Sequence, residues 1–307
     1  MTTSPACPVV AVGAIHHDTI AHAREPIRPE TSTPARLSAR PGGVATNLAR
    51  ALVRLGVPTR LVGALGDDGA AQALTGQLEG EGIRLAVRTR PGFVTGQYLA
   101  LHGPSGALTA ACVDDRVLAE APPDLFDGII DELLGTLPKE TIWFVDANLP
   151  EAMLVRLGAR LGSHRLIANA VSDAKAPRLK PLLGDLECLM LNRGEAAALT
   201  ALDRETAPEA LASALAQTGL RRFVLTSGAA DILVLDDGTI SRFTPQVTRI
   251  VDVTGAGDAL MAATIAALAR GTTLGDAVPY GLAAAALTLA STGALAEDLS
   301  WDALQSF

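Results

Sequence analysis

Short, largely apolar runs alternate with helix-patterned stretches along this chain. The runs are Val9–Ile15, Arg60–Leu65, Thr141–Asp146, Arg165–Asn169, Glu187–Leu191 and Arg222–Thr226. Continuous apolar runs suit strands buried on both faces, and the helices between them supply the crossovers that parallel strands need. The pattern predicts an α/β fold, a three-layer doubly wound sheet, mainly parallel and covered by helices. Such sheets bind ligands at the carboxyl ends of their strands. One helix is legible in detail. Val44, Leu48, Leu52 and Leu55 share a face, Gly56 offers a left-handed cap, and Pro58 blocks continuation. Before it, Pro41-Gly42-Gly43 reads as a turn.

Composition narrows the function. With 307 residues, 49% hydrophobic and 19% charged, the chain suits one large domain or a domain with an appendage, and disorder is excluded as its main state. Its 33 acids outnumber 25 bases, so non-specific nucleic-acid binding, which runs on Lys and Arg, is not expected. A phosphate can still bind at a helix N-terminus. The uncharged run Ala277–Ala296 is long enough to raise a membrane reading, but it is mostly alanine and holds Pro279 and Gly281. A buried helix is expected there, and no membrane association. Met1–Pro8 has no basic start before an apolar stretch, so no secretory signal is visible. Cys7, Cys112 and Cys188 have no zinc or Cys-x-x-Cys spacing and read as reduced thiols of a cytoplasmic protein.

Two segments break the alternation. Thr19–Leu37 is polar and proline-rich, and Phe93–Val113 reads as a β-hairpin around His102–Gly106. They form either a surface loop plus a hairpin or a small β lid built from both.

The stretch Asp252-Val253-Thr254-Gly255-Ala256-Gly257-Asp258 carries the most chemistry. It follows a strand-like segment and enters an alanine-rich helix former. Its glycines let backbone N–H groups converge on an anion, and the helix dipole adds to them. Asp258, in the first turn, can accept a hydroxyl proton beside that anion hole. A plain aspartate cap after a glycine turn is the structural alternative. A dinucleotide fingerprint does not fit, because position 260 is Leu and the motif lies late in the chain. A Walker A loop is absent.

These residues resemble the C-terminal signature of the ribokinase-like (PfkB-type) carbohydrate kinases. Pro41-Gly42-Gly43-Val44-Ala45-Thr46-Asn47 resembles their N-terminal signature, Val62–Gly69 a third shared segment, and Asn192-Arg193-Gly194-Glu195 their Asn-x-x-Glu motif. All four occur in family order. The resemblance implies one kinase domain over 1–307, with lid segments at about 14–37 and 93–113. It implies ATP as co-substrate, Asp258 as base, and Gly255, Ala256 and Gly257 as the anion hole. Asp18, Gly42, Gly43 and Asn47 would bind the sugar. Asn192, Thr226, Ser227, Gly228, Thr254, Gly255 and Gly257 would face the nucleotide. Asn192 and Glu195 would place Mg²⁺, mostly through water, and Asp252 with Thr254 a monovalent cation such as K⁺. A homodimer is implied as well.

Two residues depart from the family pattern. Asp231 stands where the nucleotide-side turn usually ends in glycine, and Leu282 where relatives often place a polar residue near adenine. Gly96–Leu101, Asp146–Glu151 and Val171-Ser172 with Lys175 resemble the bacterial pseudouridine kinases, which implies Gln97, Asn148 and Lys175 as further substrate contacts. Asn148 and Lys175 offer hydrogen bonds to a nucleobase; their structural alternatives are a turn asparagine and a solvated lysine. His16, His17 and His22 fit no zinc spacing. The expected activity is phosphorylation of a nucleoside 5′-hydroxyl, pseudouridine foremost. Another sugar or nucleoside kinase and a non-catalytic binding protein of this fold are the rivals.

Overall fold

The computed structural model describes residues 5–246 and 249–307. Thirteen strands are present among them: β1 (Val9–Val12), β2 (His16–Ala23), β3 (Ala35–Gly42), β4 (Thr59–Leu65), β5 (Arg84–Thr89), β6 (Gly96–His102), β7 (Leu108–Asp114), β8 (Ile142–Asp146), β9 (Arg165–Asn169), β10 (Cys188–Asn192), β11 (Arg222–Ser227), β12 (Ala230–Asp236) and β13 (Thr239–Phe243). Nine form one sheet in the order β13-β12-β11-β10-β9-β8-β1-β4-β5. It is parallel from β5 to β11, and β12 and β13 add an antiparallel edge.

Burial on both faces explains the apolar runs. Val9 and Ala11 of β1 enter one core layer, with Leu48 and Leu52 of the helix Val44–Arg54; Val10 and Val12 enter the other, with Met153 and Leu157 of the helix Glu151–Leu161. Alternate residues of a strand point to opposite faces, so a doubly covered sheet needs both sets apolar. Each fully buried leucine contributes about 1.5–3 kcal/mol. The helices Ala256–Leu268 and Leu274–Leu289 pack on each other and are largely buried, which accounts for the alanine-rich run. No helix among the described residues is long and apolar enough to cross a membrane.

The segments that broke the alternation pair with each other. β3-β2-β6-β7 make a second, four-stranded sheet. Asp18 of β2 stands opposite Arg40 of β3 and Tyr98 of β6. β3 continues beyond Leu37 to Gly42, so Pro41 and Gly42 are strand residues rather than a turn. Gly43 alone makes the corner, with φ +94° at the N-cap of the next helix.

Candidate active site

The chain ends of β1 and β8 and the start of the helix Val44–Arg54 meet on one carboxylate. Asp146 is fully buried and accepts hydrogen bonds from the N–H groups of Ala14 (3.2 Å), Ala45 (2.9 Å) and Asn148 (3.0 Å). Burial still pushes its carboxyl up, because three amides do not replace water fully. Sequence reasoning passed over Asp146; an acid ending an otherwise apolar strand was the available signal.

Asp258 lies beyond it, in the first turn of the helix Ala256–Leu268. Gly255 caps that helix with φ +78°, and a Cβ there would collide with the Ala294 backbone. The turn thus needs glycine on both counts. The N–H groups of Ala256, Gly257 and Asp258 have no acceptor among the described residues, as expected of a free helix start. Asn47 donates its Nδ2–H to Asp258 Oδ2 at 2.8 Å and so joins the two glycine motifs in space. Burial raises the Asp258 carboxyl to about 6, with Asn47 pulling it down and Asp146 pushing it up. Part of Asp258 stays accessible from the cleft.

Asp18 faces the same place from the small sheet. Burial raises its carboxyl to about 7; Arg40 opposes this and Asp258 adds to it. Its Oδ1 is buried without a partner. A side chain at position 42 would fall on the Asp18 carboxylate, so Gly42 keeps that acid in place. Gln97 is not brought to this group. It follows strand alternation onto the opposite sheet face, is exposed, and leaves Tyr98 as the β6 residue beside Asp18.

Asn192 and Glu195 form a closed capping box. The Glu195 N–H donates to Asn192 Oδ1 (3.0 Å), and the Asn192 N–H and Nδ2–H donate to the Glu195 carboxylate (2.8 and 2.7 Å). Burial lifts Glu195 to about 7 against the Asn192 hydrogen bond, with Asp173 and Asp258 raising it further. Asp252 receives the N–H groups of Thr254 (2.9 Å) and Gly293 (3.0 Å). Burial opposes its charge, but these bonds and Arg40 hold its carboxyl below the usual range.

Lys175 is no solvated lysine. Its ammonium meets Asp115 Oδ2 at 3.0 Å and Asn148 Oδ1 at 2.7 Å. Asn148 is buried at the strand-end turn. His16 lies in the field of this group, and its Nε2 is buried without a partner. Burial, with Lys175 second, lowers the imidazole to about 4, so it is neutral at pH 7.

Two cavities flank Asp258 along the body. One, of about 160 Å³, is lined by Asp258, Asn192, Glu195, Thr226 and Gly257. The other, of about 390 Å³, is apolar and runs from Thr226, Gly228 and Gly257 to Leu260, Leu282 and Leu289. The sequence profile described as pfkB family carbohydrate kinase matches residues 8–301. The chain belongs to this family. It is therefore a carbohydrate kinase, a phosphotransferase.

Three relatives frame the kinase. A carbohydrate kinase from Agrobacterium tumefaciens is 30% identical, with TM-score 0.85 over 98% of this chain and 96% of that one. The pseudouridine kinase of Escherichia coli K12 is 27% identical over 300 residues, 95% of this chain and 93% of that protein. The Arabidopsis thaliana ribokinase complexed with ribose and ATP shares the fold, with TM-score 0.84, 21% identity and 98% of each chain covered.

The two departures read from the kinase sequence resolve differently. Asp231 is an ordinary strand residue of β12, hydrogen-bonded to Thr244 (2.8 Å) and Arg242 (3.1 Å). The left-handed position of the β11–β12 turn is Gly228, with φ +64°, so Asp231 imposes no strain. Leu282 lines the apolar cavity, where its side chain offers contact area rather than a hydrogen bond.

Proposed function

We propose that this kinase transfers the γ-phosphoryl group of ATP to a nucleoside 5′-hydroxyl, and that pseudouridine is the nucleoside. The observation that carries the transfer is Asp258, set at a free helix N-terminus and held by Asn47. The substrate oxygen bonds to the γ-phosphorus, and its proton passes to Asp258. The bond to the bridging oxygen breaks, and ADP leaves with that electron pair. The N–H groups of Gly255, Ala256 and Gly257 hold the phosphoryl oxygens. The sugar would lie on Gly42, Gly43, Asn47 and Asp18. Adenine would enter the apolar cavity, with its phosphates passing Thr226, Ser227, Gly228, Thr254 and Asn192. Ser227 Oγ is buried without a partner and suits a phosphate oxygen.

Magnesium fits this site as a water-rich ion. Mg²⁺ keeps most of its water and takes one or two carboxylates, and Glu195 and Asn192 line the same cavity as Asp258. Glu195, hard to ionise where it stands, and Asn192 would hold that hydrated shell. Bound there, Mg²⁺ would neutralise phosphate charge. Asp252, held ionised beside Thr254, is the candidate ligand for K⁺.

The small sheet would act as the lid, excluding water from the transfer. Its outer face carries Leu37, 67% exposed, and Leu99, 44% exposed, a surface suited to a homodimer. A monomer at all concentrations in sedimentation would remove that part of the reading. A cytoplasmic location completes it, since free thiols are the rule there.

Two supports favour a nucleoside: the pseudouridine kinase among the relatives, and the Lys175–Asn148–Asp115 group beside the sugar end. A free sugar is the second reading, because Lys175 already spends donors on Asp115 and Asn148. ADP release across pseudouridine, uridine, cytidine, adenosine, ribose and fructose decides between them. Preference for a free sugar would sink the nucleoside pocket. In the same assay, Lys175→Ala is expected to raise KM for the nucleoside about 10–100-fold. An unchanged KM would leave Lys175 a strut.

The pH profile tests the base. Asp258 must be ionised to accept the proton, and burial lifts its carboxyl to about 6. Protonation therefore removes activity as pH falls, and kcat/KM should drop tenfold per unit below about pH 6. A flat profile down to pH 4.5, about where an unperturbed carboxylate begins to titrate, would contradict the assignment.

A further inference from the structure

A buried imidazole stands at the sugar end of the site with its ring nitrogens unclaimed. His16 precedes Asp18 by two residues on β2, so strand alternation sets both side chains on one face, the face that Asp18 turns to Asp258. Both of its cross-strand neighbours are glycines, Gly42 on β3 and Gly96 on β6. A Cβ on Gly96 would come within 2.5 Å of His16 Cδ2, so glycine there makes room for the ring. The residue is only 7% exposed. His102 and His164 each reach a backbone carbonyl through Nδ1, whereas among the described residues His16 has no hydrogen-bond partner, and its Nε2 is buried.

Lys175 and Asp115 both act on the charge of this imidazole, which sets it beside the Lys175–Asn148–Asp115 group. Lys175 donates to Asn148 Oδ1 at 2.7 Å, so that amide oxygen is taken, and the ammonium and the amide have only N–H groups left to give a substrate. Donors of this kind suit carbonyl oxygens. The imidazole is neutral at pH 7 through burial and Lys175, so one of its nitrogens can accept. We propose that His16 is a specificity-determining residue, accepting a hydrogen bond from a ring N–H of the substrate base, next to a carbonyl that Lys175 and Asn148 hold. The proposal rests on the nucleoside reading above.

This edge separates pseudouridine from uridine. The uracil of pseudouridine is joined to ribose through carbon, so its N1 carries a hydrogen beside the C2 carbonyl. Uridine, turned to the same place, presents a C–H beside its C4 carbonyl. The carbonyl finds its donors in both cases, but only pseudouridine gives the imidazole a partner. A site that must leave a buried polar atom unpaired rejects the analogue that leaves it so. Cytidine fails at the neighbouring position, where its amino group would meet the ammonium and amide N–H groups. His16 exchanges no proton with the base, and the transfer at Asp258 is the same for every nucleoside.

Steady-state phosphorylation by the full-length enzyme with Mg-ATP tests this on pseudouridine, uridine and N1-methylpseudouridine. The parent is expected to favour pseudouridine over uridine by about 10–100-fold in kcat/KM, and N1-methylpseudouridine, which has lost the N–H, should fall at least as far. His16→Ala is expected to lower kcat/KM for pseudouridine by about the same 10–100-fold and to leave uridine within about threefold, so that the preference disappears. His16→Gln, whose amide oxygen can accept, should keep part of it. Equal use of pseudouridine and its N1-methyl form by the parent would overturn the proposal, and that measurement needs no variant to fold. So would a preference that survives in His16→Ala, which would pass the N–H to Asp115, or an equal loss on both nucleosides, which would make His16 a wall of the site. Each of these leaves the nucleoside reading standing. A parent that turns over free sugars and no nucleoside would instead fell that reading, and this proposal with it.

Discussion

Asp258→Asn is expected to lower kcat by about 10²–10⁴-fold while acceptor affinity stays within about threefold. Asparagine matches aspartate in shape and can still accept the Asn47 hydrogen bond seen at 2.8 Å. It cannot accept the hydroxyl proton. The carboxyl is suited to that task because burial and Asp146 lift it to about 6, close enough to neutrality to be a useful base and still ionised at pH 7. Calorimetric titration of the variant with the acceptor separates the roles. Binding lost along with turnover would mean that Asp258 holds substrate rather than drives transfer. The variant should also lose the step near pH 6 that Asp258 contributes, while Asp18 and Glu195, lifted to about 7, still titrate.

Gly255→Ala should damage both stability and turnover. The residue must adopt φ +78°, which an alanine enters only at a cost, and its methyl would meet the Ala294 backbone, which cannot rotate away as a side chain can. Left-handed strain and overpacking together cost about 2–4 kcal/mol. Relief would require the Gly293–Ala294 turn to move, taking with it the N–H that holds Asp252. The anion hole would then be misaligned, and loss of one such donor typically costs about 10²–10³ in kcat. Chemical denaturation and steady-state rates measure the two effects. Gly257→Ala is the matched control: its Cβ would meet nothing within 4 Å and its φ is ordinary, so its stability should hardly change. Equal losses in both variants would show that the tight approach to Ala294 is not what makes position 255 sensitive.

Much of the candidate site was legible because its residues lie in short local motifs. The Gly255–Asp258 turn, the Gly42–Gly43 pair and Asn192 with Glu195 each declare a backbone need or a cap within a few residues. The residues that escaped are those whose meaning lies across the chain. Asp146 looks like a strand end until Ala14 and Ala45 turn their N–H groups to it. Asp115 gains a role only as the ion partner of Lys175, and Arg40 only as the neighbour of Asp18. Gln97 shows the converse, since one step along a strand reverses the face and replaces it with Tyr98.

The sequence by itself determined the doubly covered parallel sheet, because strands buried on both faces must be apolar throughout, and that pattern survives without coordinates. It also determined the helix at Val44–Arg54 and the glycine turn at Gly255, because caps and left-handed positions are local. Tertiary structure alone decided that the polar segment after β1 is half of a sheet. Its parallel partner β6 is remote in sequence, and a mixed-polarity strand acquires its pattern only from the cavity it faces. Tertiary structure likewise decided the antiparallel edge β12–β13 and the upward shift of the Asp18, Glu195 and Asp258 carboxyls. Burial and mutual charge are properties of what surrounds a carboxylate, and no single residue type encodes its surroundings.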